Sequence, residues 1–121
     1  MQSQLMRRRH RLRQRSDIAL VRRQGKGVKH RLGTLVFRPN SLPHTRFCFS
    51  ASKRVGNAVQ RNRAKRLMRE AIRLNLAQIA TGWDVLLIPR THAATASFTD
   101  VEAAVLDLLK RARLLTNKDV G

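Results

Sequence analysis

The stretch from Lys53 to Arg73, KRVGNAVQRNRAKRLMREAIR, decides how this chain folds and what it can hold. At about 100° per residue, Arg61, Lys65, Arg69 and Arg73 follow one i,i+4 ridge of a helix, with Asn62 and Arg66 beside it. Ala64, Leu67, Met68, Ala71, Ile72 and Leu74 are assigned to the opposite arc, an apolar stripe that can dock onto a core. Like charges at i,i+4 cost an isolated helix a few tenths of a kcal/mol per pair, and only Glu70 offers local relief. A solvated face interleaves both signs, so a face of nearly one sign points to a polyanionic partner. Arginine dominates it, and the planar guanidinium suits bidentate contact with phosphate.

The rest of the chain repeats this bias. Over 121 residues and 13.8 kDa there are 26 Lys+Arg against 7 Asp+Glu, a net charge of +19 and a pI of about 12.0. The length predicts one domain with a modest core, which 42% apolar residues can fill. Such a charge lies outside the range of ordinary cytosolic enzymes and points to nucleic acid or an anionic membrane. Membrane is the weaker alternative, because no apolar run nears the roughly 20 residues of a spanning helix. No apolar segment follows the basic N-terminus, so no secretory signal is read, and a transit peptide is disfavoured because the segment runs straight into the fold. The single Cys48 excludes an internal disulfide and suits a reducing compartment.

Turn signals place the flanking elements. Residues 1–15 read as a basic arm with little to bury. Ser16 is the expected cap of a first helix with Ile18, Leu20 and Val21 inward and Gly25 as its stop. Strands are expected over 27–31, 32–38 and 46–52. The last alternates Phe47, Phe49 and Ala51 on a core face with Cys48, Ser50 and Ser52 on a small polar face, which is either an ordinary solvated antiparallel face or one where an extended chain has room to lie. Gly56 is placed to supply φ > 0 and Asn57 to cap the long helix, which is expected to run to about Ala80 with Gly82 just beyond. Trp83 to Pro89 reads as a central strand. Thr99 and Glu102 have the capping-box spacing for a last helix with Val101, Val105, Leu108, Leu109 and Ala112 inward. The prediction is a single two-layer α+β domain over 16–115, in the order helix-strand-strand-strand-helix-strand-helix, with a frayed tail over 116–121.

No catalytic set stands out. Asp17, Glu70, Asp84, Asp100, Glu102, Asp107 and Asp119 are scattered, whereas a metal-dependent nuclease clusters its carboxylates. His10, His30, His44 and His92 lack metal-ligand spacing and read as surface residues, and there is no phosphate-cradling glycine loop. The chain reads as a binder with no protein-bound cofactor.

The run from Ser50 to Ala71, SASKRVGNAVQRNRAKRLMREA, closely resembles the signature of the protein subunit of bacterial ribonuclease P. The match rests on Arg61-Asn62-Arg63 followed by Lys65, Arg66 and Arg69, and preceded by Ser52-Lys53 and Gly56-Asn57. It extends over roughly Arg9 to Leu115. The resemblance implies a fold like the second domain of ribosomal protein S5, with a left-handed βαβ crossover against the usual rule. It also implies that a catalytic RNA subunit carries the chemistry, the Mg²⁺-dependent removal of the 5′ leader of precursor tRNA, with the metal held mainly by RNA. The implied partners are that RNA and precursor tRNA, with no obligate protein partner and no membrane, in the bacterial cytoplasm.

Carried over residue by residue, contact with the RNA subunit is expected at Lys53, Arg54, Asn57, Arg61, Asn62, Arg63, Lys65, Arg66 and Arg69. Arg63 lies nearest the apolar arc, so helix packing is an alternative role for it. Leader contact is expected at Arg11, Arg13, Ile18, Arg22, Val36, Cys48 and Ser50. The family often places aromatic residues where Ile18 and Arg22 stand, and base stacking is worth about 1–3 kcal/mol per base, so an aliphatic and a guanidinium imply a different grip on the leader. A small basic ribosomal protein is the main alternative, with a protein-only nuclease and a DNA binder behind it.

Overall fold

A computed structural model of the chain describes residues 7–116. Its elements are α1 (Arg15–Gln24), β1 (Lys26–His30), β2 (Gly33–Pro39), β3 (Arg46–Phe49), α2 (Ala58–Asn75), β4 (Trp83–Pro89) and α3 (Phe98–Arg111). This is the expected order of an α+β domain. The strands form one sheet in the order β1-β2-β4-β3. β2 runs antiparallel to both β1 and β4, while β3 and β4 are parallel. A parallel pair needs a long crossover, and α2 supplies it. β4 therefore lies inside the sheet, and its run from Asp84 to Leu87 is buried without a break, as its unalternating apolar sequence required.

α2 and α3 cover one face of the sheet. Leu35, Phe47, Val85 and Leu87 meet Met68, Ala71 and Ile72 of α2 and Val101, Val105, Leu108 and Leu109 of α3. α1 lies across β2 and β4 on the other face, where Leu12, Val21 and Leu86 are buried and Ile18, Val36, Cys48 and Ile88 are half-buried around them. It adds a partial cover to the two-layer arrangement. Gly25 ends α1 with φ of −78°, so its value is space: a Cβ there would stand 2.5 Å from the Val21 carbonyl and 2.9 Å from that of Phe37.

Several boundaries differ from the sequence reading. Gln14, not Ser16, occupies the α1 cap position, and Asp17 supplies the favourable negative charge of the first turn. β3 stops at Phe49, short of Ser52. α2 ends at Asn75 and gives way to a 3-10 turn at Leu76–Gln78, because Ile79 and Ala80 leave the helix to pair with the chain after α3; Ala80 N–H donates to the Leu114 carbonyl at 2.6 Å. Leu74 is 39% exposed, consistent with its place about 120° round the helix from Met68. Ser97 rather than Thr99 caps α3, its Oγ accepting from Asp100 N–H at 3.1 Å, and Glu102 instead accepts from Asn75 Nδ2 at 2.9 Å, tying α3 to α2.

The largest correction concerns the arm. Arg8–His10 forms a 3-10 turn and Leu12 is only 3% exposed, its N–H donating to the Phe47 carbonyl at 2.8 Å. Leu12, among arginines, ties the segment to the outer edge of β3, which would otherwise offer unpaired backbone groups. His10 is buried, not a surface residue; its Nδ1 accepts from Arg7 N–H at 2.9 Å, and its ring meets that of His44 edge-on. Thr116, expected to fray, bonds to the Gln78 carbonyl through both N–H and hydroxyl. Residues 1–6 of the expected arm and 117–121 of the expected tail lie outside the described residues.

Candidate nucleic-acid interface

The entry to α2 is built by a reciprocal cap. Asn57 Oδ1 accepts from Gln60 N–H at 2.9 Å, and Gln60 Oε1 accepts from Asn57 N–H at 2.9 Å. Gly56 sits at φ of +143°, and a Cβ there would stand 2.0 Å from Gln60 Oε1, so this box needs a glycine. Arg61 Nη1 reaches back to the Gly56 carbonyl at 2.9 Å, holding the turn Lys53–Val55 against the helix. Asn57 and Arg61 thus build the surface on which their neighbours stand.

Beyond that entry the cations divide by direction. Lys53, Arg54, Asn62 and Arg66 are exposed and Lys65 is half-buried; no hydrogen bond or ion pair engages these side chains among the described residues. Arg63 turns the other way, its Nη1 donating to the Ala94 carbonyl at 2.8 Å and its Nη2 to that of Ala96 at 3.0 Å. Its guanidinium pins the 3-10 turn Thr91–Ala94, beside the small core of Val55, Ala64, Ala93 and Ala94. Arg73, the last member of the ridge, is paired with Glu70, whose carboxyl it holds below the usual carboxylate range.

Arg69 joins this surface to a groove. Its guanidinium carbon lies 5.1 Å from the centroid of the Phe49 ring, within cation–π range. Phe49 was expected in the core; it is half-buried and shared between core and groove, an arrangement no sequence spacing could signal because it depends on how α2 crosses β3. The groove holds about 380 Å³ and is lined by Arg11, Leu12, Arg13, Phe47, Cys48, Phe49 and Arg69. Among the described residues, three arginines and no acid line it.

The expected leader residues fall in three places. Arg11, Arg13 and Cys48 line the groove. Ile18 and Val36 are drawn under α1, so the small polar face of the sheet is partly covered and not open along its length. Arg22 and Ser50 meet each other outside that lining, Nη2 donating to Oγ at 3.4 Å. Burial pushes the Cys48 thiol up, opposed by the nearby positive charges of Arg22 and Lys65.

Fold and surface together define a small, strongly basic α+β protein in which, among the described residues, a group of unpartnered cations lies on one helix, its entry turn and an adjoining groove. The sequence profile of the Ribonuclease P family matches residues 6–113. The chain belongs to this family, the protein component of ribonuclease P, an endoribonuclease complex of tRNA processing. It is 33% identical over 107 residues to the ribonuclease P protein component of Alkaliphilus metalliredigens, covering 88% of this chain and 96% of that one. Against the protein component of Pelotomaculum thermopropionicum it is 38% identical over 103 residues, covering 85% and 92%. Its fold is similar to that of the RNase P protein of Thermotoga maritima, with a TM-score of 0.77, 33% identity, and coverage of 84% of this chain and 96% of that one. The Staphylococcus aureus RNase P protein gives a TM-score of 0.80 at 27% identity, covering 88% and 97%. No helix among the described residues is long and apolar enough to cross a membrane.

Proposed function

We propose that this chain binds the catalytic RNA subunit of ribonuclease P through α2 and its entry turn, and the 5′ leader of precursor tRNA through the adjoining groove, assisting removal of the leader in the bacterial cytoplasm. One observation carries the reading: the unpartnered cations of Lys53, Arg54, Lys65 and Arg66 run, by way of Arg69, into a groove lined by Arg11 and Arg13. A surface of one sign that is left without acids is stabilised by phosphates, and each one neutralised adds salt-dependent affinity. Asn62 adds a neutral donor and acceptor on the same face, while Asn57, Arg61 and Arg63 hold the backbone that presents it.

In this reading the RNA holds the catalytic Mg²⁺ and performs the hydrolysis. Among the described residues most acids are engaged by other groups, since Asp84 and Asp17 face Arg46, Glu70 faces Arg73, Asp107 faces Arg111 and Glu102 accepts from Asn75. What the chain supplies is binding and orientation: cations that lower the repulsion between two RNAs, and a groove that fixes the single strand next to them. Ile18 and Arg22 in place of aromatic side chains make that grip one of phosphate contact and guanidinium stacking more than of ring stacking.

The test is cleavage of a 5′-labelled precursor tRNA at low Mg²⁺ with protein alone, the cognate catalytic RNA alone, and both together. Cleavage at the mature 5′ end that needs both, or is far faster with both, is the expected result. Cutting by the protein alone, or no gain over the RNA alone, would overturn the reading.

A further inference from the structure

We propose that the end of the sheet where β4 stops is a second seat for backbone phosphates of the RNA subunit, formed by Arg31, Arg90, Thr91 and His92. The proposal rests on the ribonuclease P reading and extends its contact surface beyond α2 to residues that the family signature does not include. These four residues line a cleft of about 350 Å³, with no acid in its wall among the described residues. Neither guanidinium has a protein partner among the described residues.

The cleft is built and not merely exposed. Leu32, between β1 and β2, is 2% exposed; its N–H donates to His30 Nδ1 at 3.0 Å and its carbonyl accepts from Arg90 N–H at 3.0 Å. That anchor sets Arg31 beside Arg90. On the other side, the Thr91 hydroxyl donates to the Arg54 carbonyl at 3.3 Å, and the Arg63 clamp on Ala94 and Ala96 holds the turn that carries His92. The cleft is therefore fixed to the turn bearing Lys53 and Arg54, and a phosphate chain leaving that turn meets two further forks without crossing an acidic patch. Two arginines and an imidazole in one concavity are the donor set of a phosphate seat, with Thr91 holding its wall to the turn at Arg54. Its continuity with the α2 entry, on a path that does not pass through the groove at Arg11 and Arg13, assigns it to the RNA subunit and not to the leader.

The experiment measures the affinity of the full chain for its cognate catalytic RNA, and separately for precursor tRNA, over a series of salt concentrations. Four proteins are compared: the wild type, Arg31→Ala/Arg90→Ala, Arg66→Ala, and Lys29→Ala/Lys110→Ala, which removes two exposed cations on β1 and α3. The expected result for Arg31→Ala/Arg90→Ala is affinity for the catalytic RNA lowered roughly tenfold or more at fixed salt. The slope of log affinity against log salt should also become shallower by about one to two, with affinity for precursor tRNA unchanged. A slope equal to wild type, an equal loss in the Lys29→Ala/Lys110→Ala protein, or a loss confined to precursor tRNA would each overturn the proposal. Failure of the wild type to bind the RNA would instead defeat the functional reading beneath it. Circular dichroism of each variant confirms that the fold is kept, which the exposure of Arg31 and Arg90 leads one to expect.

Discussion

Arg46 on β3 and Asp84 on β4 close a two-pronged ion pair across the parallel strands, with Nε 2.8 Å from Oδ1 and Nη2 2.7 Å from Oδ2. Asp84 is 3% exposed and also accepts from Asn40 Nδ2 at 2.9 Å, while Asp17 of α1 reaches Arg46 Nη1 at 3.5 Å. One guanidinium thus joins the sheet's interior strand, its edge strand and the helix over its second face. In Arg46→Met the buried carboxylate loses its charge partner, and the expected cost is about 3–5 kcal/mol in urea unfolding. Arg46→Met/Asp84→Leu, which removes both charges, should recover most of it. If the single variant unfolds with the wild-type midpoint, the pair does not hold that end of the sheet.

Arg63 and Arg66 stand three residues apart in the same basic signature and point to different tasks. Arg63 donates two charge-assisted hydrogen bonds to carbonyls, so Arg63→Ala should cost about 2–3 kcal/mol of stability. Arg66 is exposed and engages no other described residue, so Arg66→Ala should stay within about 0.5 kcal/mol of wild type in melting yet weaken binding to the RNA subunit. Thermal melts and filter binding on both variants decide it. Equal stability losses, or undiminished RNA affinity in Arg66→Ala, would contradict the division.

The inward face of α2 supplies a packing prediction. Met68 is fully buried between the sheet and α3, whereas Leu67, one residue round the helix, is half-buried at the margin of the core. Met68→Ala should cost about 2–5 kcal/mol and Leu67→Ala distinctly less. Equal losses in chemical unfolding would mean that the helix is rotated from the orientation described here.

What the sequence disclosed about α2 was a rotation of charge against apolar side chains, and this fixed both its docking face and its cationic face. Gly56 and Asn57 carried their own signals, a residue free to take φ > 0 and a capping side chain. What stayed hidden depended on through-space meetings. Nothing local says that Leu12 will seat beside Phe47, so a run of arginines read as a loose arm. The same holds for Phe49 under Arg69, for Arg46 with Asp84, and for the Arg63 clamp, whose partners lie some thirty positions along the chain. Ile18 and Val36 were assigned to a leader-facing surface by resemblance alone, and the packing of α1 withdraws much of them from it.

Cys48 offers a chemical probe of the groove. Burial raises its thiol, so alkylation should be slow near neutral pH and accelerate only above the ordinary thiol value of about 8.5. With the catalytic RNA present, a precursor carrying its leader should slow alkylation further, and mature tRNA should not. Mass spectrometry of the labelled chain reads both effects. Identical rates with and without a leader would remove Cys48 from the leader path.

His10 makes the docking of the N-terminal segment sensitive to pH. Burial first, then the charges of Arg9, His44 and Arg7, hold its imidazole below the ordinary histidine value of about 6.5, and its unprotonated Nδ1 accepts from Arg7 N–H. Because the folded value is depressed, the unfolded chain binds more protons once pH drops below about 6.5; the stabilisation is complete above that value and is lost as pH falls through the lower folded value. His10→Asn keeps an acceptor near the place of Nδ1 but cannot titrate. The wild type should therefore lose more melting temperature than His10→Asn between pH 7.5 and 5.5, while the two should respond alike above pH 7.5. Parallel melting curves over the acid range would show that protonation at His10 does not reach the fold. A steeper fall in the variant would mean that the histidine stabilises the docked segment in its charged form, the opposite of what its buried position and three positive neighbours require.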